Sequence, residues 1–69
     1  MTEKTTFTHK TEKEEVTVID PDAIHTITKN DQRMIKYYAR NTTVTVLQKK
    51  NENGEYIDTE IYINYYYHR

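Results

Sequence analysis

Three histidines, two closely spaced pairs of carboxylates and a basic run interleaved with tyrosine are the parts of this chain that could do chemistry. His9, His25 and His68 share no ligand spacing, and a zinc site would need them gathered with an acid such as Asp20 or Asp22. Three surface histidines are the expectation, with no metal and no cofactor. The pairs Asp20/Asp22 and Asp58/Glu60 stand two residues apart, one in a turn and one on an expected exposed strand face. Neither position forms the enclosed pocket that raises a carboxyl pKa for acid–base work. The chain has no Ser and no Cys, so the commonest nucleophiles are missing, and its one Gly rules out a glycine-rich phosphate loop. An enzyme is not expected.

Binding is better supplied than catalysis. Residues 32–50 contain Arg33, Lys36, Arg40, Lys49 and Lys50 and no acid, whereas residues 1–31 carry seven acids against four bases. With Tyr38 alongside, Arg33, Lys36, Arg40, Lys49 and Lys50 could line a groove for single-stranded nucleic acid, cations meeting phosphates and rings stacking on bases. Against that, the net charge is −1 and charge runs are usually solvated faces. The seven tyrosines are the more unusual feature. Tyrosine offers a large rigid surface with a polar end and little entropy to lose, which suits a protein interface.

The elements that must position these residues are strands. There is one Leu and two Ala against seven Ile and twelve Thr, a usage that favours sheet over helix. Two runs rich in β-branched and aromatic residues, 42–50 and 55–67, flank Asn53-Gly54, whose tolerance of positive φ predicts a hairpin with a type I′ turn. Centring the turn there pairs Val46 with Ile61 and Val44 with Ile63, and sets Lys49 opposite Asp58. Two-residue turns at Asn30-Asp31 and Arg40-Asn41 then pair Ile24 with Tyr37, Thr26 with Ile35, Tyr37 with Val44 and Ile35 with Val46. One face carries Ile24, Ile35, Tyr37, Val44, Val46, Ile61 and Ile63, with Tyr65 and Tyr67 continuing it. The other carries Ile27, Met34, Leu47 and Tyr62 among Lys36, Thr45, Lys49 and Glu60. A slip of one residue would invert a strand, so agreement across three turns favours the meander.

The expected fold is therefore mainly β, a small antiparallel meander of about four to five strands formed by residues 15–69 as a single domain. Residues 1–14, polar but for Phe7, are expected to form a flexible N-terminal arm, with TTFTH able to add a strand where pairing is offered. The alternative is α+β, with a short helix at 31–40 between two hairpins. An open sheet of this kind needs a cover on its apolar face: the arm, a helix, a second copy or a partner.

On this register Tyr56, Tyr62 and Tyr66, with Leu47, lie away from the core and form the expected partner-binding set. Codon-style composition, with Phe, Tyr, Met, Ile, Asn and Lys outnumbering Gly, Ala, Arg and Pro by 29 to 7, points to an AT-rich genome such as that of a low-GC bacterium or its mobile elements. The polar start and the lack of a long apolar run lead to the expectation of a cytoplasmic protein with no membrane partner. The functional expectation is a small phage or mobile-element interaction protein, a regulator or inhibitor. It would bind a protein partner or form a homo-oligomer through a Tyr-rich sheet face, with single-stranded nucleic acid as the alternative partner.

Overall fold

The computed structural model describes residues 5–66, so Tyr67 and His68, and the first four residues of the expected arm, lie outside the described residues. Six antiparallel strands form two sheets and no helix is present among these residues: β1 (Thr6–Lys10), β2 (Glu15–Ile19), β3 (Ala23–Lys29), β4 (Gln32–Ala39), β5 (Thr42–Lys50) and β6 (Tyr56–Tyr65). The last four make a meander in the order β3-β4-β5-β6, and β1 with β2 makes a separate hairpin. Within residues 31–40, Gln32–Ala39 form a strand between two turns, with β-branched and aromatic neighbours across both edges.

The hairpin lies on the apolar face of the meander. Val18 from β2 joins Tyr37, Val44, Val46 and Ile61 in the buried core, and Phe7, Val16, Ile35 and Ile63 pack around them. Val46 at the centre has no exposed surface. The Phe7 and Tyr37 rings meet at 5.1 Å between centroids. Thus Thr6–Lys10, part of the segment expected to be a flexible arm, is a strand; pairing with β2 satisfies its backbone, and Phe7 gains a surface to bury against.

The β2–β3 connection carries the chain from one sheet to the other. Asp20 takes φ 50 there, a left-handed conformation that Asp tolerates better than most residues, and Pro21 follows with its fixed φ. The Asp20 N–H donates to the Thr5 carbonyl at 2.6 Å, and the Asp22 N–H to the Tyr38 carbonyl at 2.7 Å, so each side of the corner is tied to its own sheet.

Register across β3, β4 and β5 is as the two-residue turns dictate: Ile24 faces Tyr37, Thr26 faces Ile35, Tyr37 faces Val44 and Ile35 faces Val46. Between β5 and β6 the expected pairs Val44–Ile63 and Val46–Ile61 are present, but the turn is of another kind. Gly54 alone in this loop has positive φ, at 82, and its N–H donates to the Asn51 carbonyl at 3.1 Å. The loop is therefore Glu52-Asn53-Gly54, a type I turn closed by a left-handed Gly. Asn51 organises it, its side-chain oxygen accepting from the N–H groups of Asn53 and Glu55 at 2.9 and 3.0 Å.

A three-residue loop moves the register by one, and a β-bulge moves it back. Leu47 faces Glu60 while Gln48 faces Asp58, leaving Thr59 with no opposite residue. The Thr59 hydroxyl donates to the Leu47 carbonyl at 3.0 Å. Between loop and bulge every side chain of β6 is on the opposite face from the one an Asn53-Gly54 two-residue turn assigns. Asp58 faces Gln48 instead of Lys49, Tyr56 lies on the hairpin side, and Ile57 points away from it. Tyr65, expected in the core, is at the end of β6 and exposed. Two substitutions probe this architecture by urea unfolding. Val46→Ala should cost about 2 kcal/mol in lost burial and cavity. Gly54→Ala, where an added Cβ would touch nothing, should cost about 1 kcal/mol through its backbone alone.

Candidate functional site

Two surfaces collect the residues able to do chemistry, and they lie on opposite sides of the meander. On the hairpin side the bulge has delivered a carboxylate to the edge of the core. Asp58 accepts from His9 Nδ1 at 3.1 and 3.2 Å, from the Lys10 backbone N–H at 3.0 Å and from Gln48 Nε2 at 2.7 Å. Gln48 Oε1 in turn accepts from Arg33 Nε at 2.8 Å. Because an ionised carboxylate only accepts, His9 Nδ1 carries the proton in this pair, and in the neutral ring Nε2 accepts from the Tyr37 hydroxyl at 2.5 Å. The guanidinium of Arg33 lies 4.1 Å from the centroid of Tyr56, with Lys50 Nζ at 5.4 Å.

A tyrosine, a histidine and a carboxylate in series resemble a nucleophile with its base and orienter, but the geometry opposes that use. Tyr37 is 3% exposed, beneath Phe7 and His9. Burial first, and the Asp58 charge second, push its pKa up, although Arg33 works the other way, so the phenolate is disfavoured. The chain of bonds instead fastens the hairpin to the sheet. Burial would raise the Asp58 pKa, but the bonds from Gln48, His9 and Lys10 outweigh it and hold the carboxyl below its ordinary value. The histidine expected at the surface is thus half-buried and structural. Among the described residues no cluster of His, Cys, Asp or Glu could hold a metal ion.

No element among the described residues covers the other face of the meander. Its rows run across the strands as Ile27–Met34–Leu47–Glu60, His25–Lys36–Thr45–Tyr62 and Lys29–Gln32–Lys49–Ile57. The first row and its neighbours Lys29, Gln32 and Lys49 line a shallow groove of about 490 Å³. Ile27 and Tyr62 are 47% and 50% exposed. Glu60 accepts a hydrogen bond from the Tyr62 hydroxyl, which raises the Tyr62 pKa. Tyr66, just past β6, is exposed and meets the Thr43 hydroxyl at 3.2 Å.

The structure therefore divides both expected sets. Leu47, Tyr62 and Tyr66 share the open face, and Tyr56 belongs to the hairpin side with Arg33 and Lys50. Of the basic set, Lys36, Tyr38 and Lys49 stand on the open face and Arg40 is in the β4–β5 turn. Tyr56 is the member of the partner-binding set that an Asn53-Gly54 two-residue turn puts on the wrong face; the three-residue loop turns it to the hairpin side and sets Ile57, opposite Lys49, on the open face. Ile27 and Met34 were assigned to the correct face by alternation.

The Asp58 bonds generate a pH prediction. A carboxyl whose folded pKa lies below its unfolded value of roughly 4 stabilises above that value and stops doing so as pH falls through the folded one. Asp58→Asn should therefore cost about 2 kcal/mol at pH 7, the worth of bonds to a charged acceptor, and progressively less towards pH 2. Urea titrations of both proteins across that range measure it.

No family model, curated protein or solved structure matches this chain.

Proposed function

We propose that the protein is a non-enzymatic interaction protein that docks the open face of its four-stranded sheet onto a partner protein. The observation carrying this reading is the apolar row Ile27, Met34 and Leu47, Ile27 exposed and the other two half-buried, which no described element covers, in a chain that buries the equivalent row on the other face completely at its centre. Exposed apolar patches rimmed by polar groups mark association surfaces. Tyr38, Tyr62 and Tyr66 add rigid amphipathic rings beside the row, the side-chain type that anchors interfaces.

Charge narrows the partner. Lys29, Lys36 and Lys49 stand around the row against the single acid Glu60, so the complementary surface is apolar at its centre and acidic at its rim. Two copies stacked by this face would oppose their lysines, which speaks for a different protein as the occupant. With no Ser or Cys and only a shallow groove on this face, such a chain would act by covering its partner's surface. A regulator or inhibitor carried by a mobile element is in keeping with the AT-rich residue usage.

Lys36, Tyr38 and Lys49 sharing a face also supports single-stranded nucleic acid as a second reading, with Tyr62 as a further ring. Affinity capture with wild type, Leu47→Glu and Thr17→Glu, the last on the outer side of the hairpin, separates the possibilities. A protein retained by wild type and Thr17→Glu but weakened roughly tenfold or more by Leu47→Glu supports the protein-partner reading. Equal retention by all three proteins removes it. Oligonucleotide binding that falls steeply with salt, and is lost in a Lys36→Ala/Lys49→Ala double variant, would establish the nucleic-acid reading in its place.

A further inference from the structure

β3 is an edge of the meander, and all seven of its residues are exposed. The two-residue turn at Asn30-Asp31 makes Lys29 and Gln32 a hydrogen-bonded pair, so by alternation Lys29, Ile27, His25 and Ala23 direct their backbone groups to β4. Ile24, Thr26 and Thr28 direct theirs outward, where no strand among the described residues meets them. Natural edges are blunted by proline, bulges, shortness or charges within the strand. β3 has none of these along its length: pairing with β4 is unbroken from Ala23 to Lys29, Pro21 lies before it, and the only Lys is its last residue. Four of its seven residues are β-branched. The opposite edge, β6, is interrupted by the Thr59 bulge and flanked by the β1–β2 turn, residues 11–14, beside Ile57–Tyr62.

We propose that β3 pairs antiparallel with β3 of a second copy, joining two meanders into one continuous sheet. The occupant is a second copy because the strand is complementary to itself. A two-fold axis perpendicular to the sheet through Thr26 sets Thr26 against Thr26, Ile24 against Thr28, His25 against Ile27 and Ala23 against Lys29. The outward N–H and C=O groups of Ile24, Thr26 and Thr28 then satisfy one another. Threonine opposite threonine and aliphatic opposite β-branched are favourable cross-strand pairs, and no like charges meet. Asp22 of each copy falls beside Lys29 of the other. With the axis perpendicular to the sheet, the open faces of both copies lie on the same side, so the dimer presents the Ile27–Met34–Leu47 row twice. The pairing itself does not depend on what that face binds.

Sedimentation equilibrium over a concentration series tests the proposal with wild type, Thr26→Pro, Thr26→Lys and Leu47→Glu. Thr26→Pro removes an outward donor, and Thr26→Lys places two ammonium groups together at the axis while leaving the exposed site free of any packing demand. Wild type and Leu47→Glu should dimerise alike, and each Thr26 variant should associate roughly tenfold or more weakly, with an unchanged circular dichroism spectrum. Hydrogen exchange at the amides of Ile24, Thr26 and Thr28 should slow as wild type is concentrated. A wild type that stays monomeric at its solubility limit overturns the proposal. So does a dimer that survives Thr26→Lys, and one abolished by Leu47→Glu alone places self-association on the open face instead.

Discussion

A four-stranded sheet has two faces, and this chain has apolar side chain enough to bury one of them. That shortage governs the rest of the molecule. The core is five buried residues built around Val46, and three of the side chains that close it, Phe7, Val16 and Val18, come from a hairpin that contributes nothing to the meander's own hydrogen bonding. Small domains expose a large share of their surface whatever they do, so a few well-placed polar bonds carry more of the stability than they would in a larger protein. The Asp58 cluster fills that role, since it reaches the hairpin through both the His9 ring and the Lys10 backbone.

The bulge at Thr59 connects this stability to the surface. By inserting one residue in β6 it exchanges the two faces locally: the carboxylate of Asp58 goes in, where His9 and Gln48 await it, and Ile57 goes out. A regular ladder from an Asn53-Gly54 turn would have placed Ile57 under the hairpin and left Asp58 in water. The core thus loses an isoleucine and gains an anchoring bond network, and the open face gains apolar area.

Much of the fold was legible because side-chain alternation is unforgiving. Ile35, Tyr37, Val44, Val46, Ile61 and Ile63 can be buried together in one register only, and the two short turns between β3, β4 and β5 leave no slack to find another. The β5–β6 turn misled for a physical reason. Asn-Gly is compatible with more than one loop, and the choice rested on Asn51, whose side chain captures two loop amides and stabilises a longer turn. An error there should have propagated through β6; the bulge stopped it at Leu47. The N-terminal hairpin was harder to see, because its strands are short and polar on alternate sides and become strands only against a surface made elsewhere. For the same reason His9 looked like a surface residue. Its partners Tyr37 and Asp58 are distant in sequence, and no local pattern connects them.

That distance has a bearing on how the molecule comes together. Every contact within the meander is closed by a turn of two or three residues, so the sheet is built from local steps with little loop entropy to overcome. The bond between His9 and Asp58 spans 49 residues. It joins ends that the meander has already brought near, and its loop closure becomes affordable only once β6 is in place. Sheet first and cover last is the low-entropy order of assembly, and in reverse it makes the hairpin the layer that opens before the sheet does.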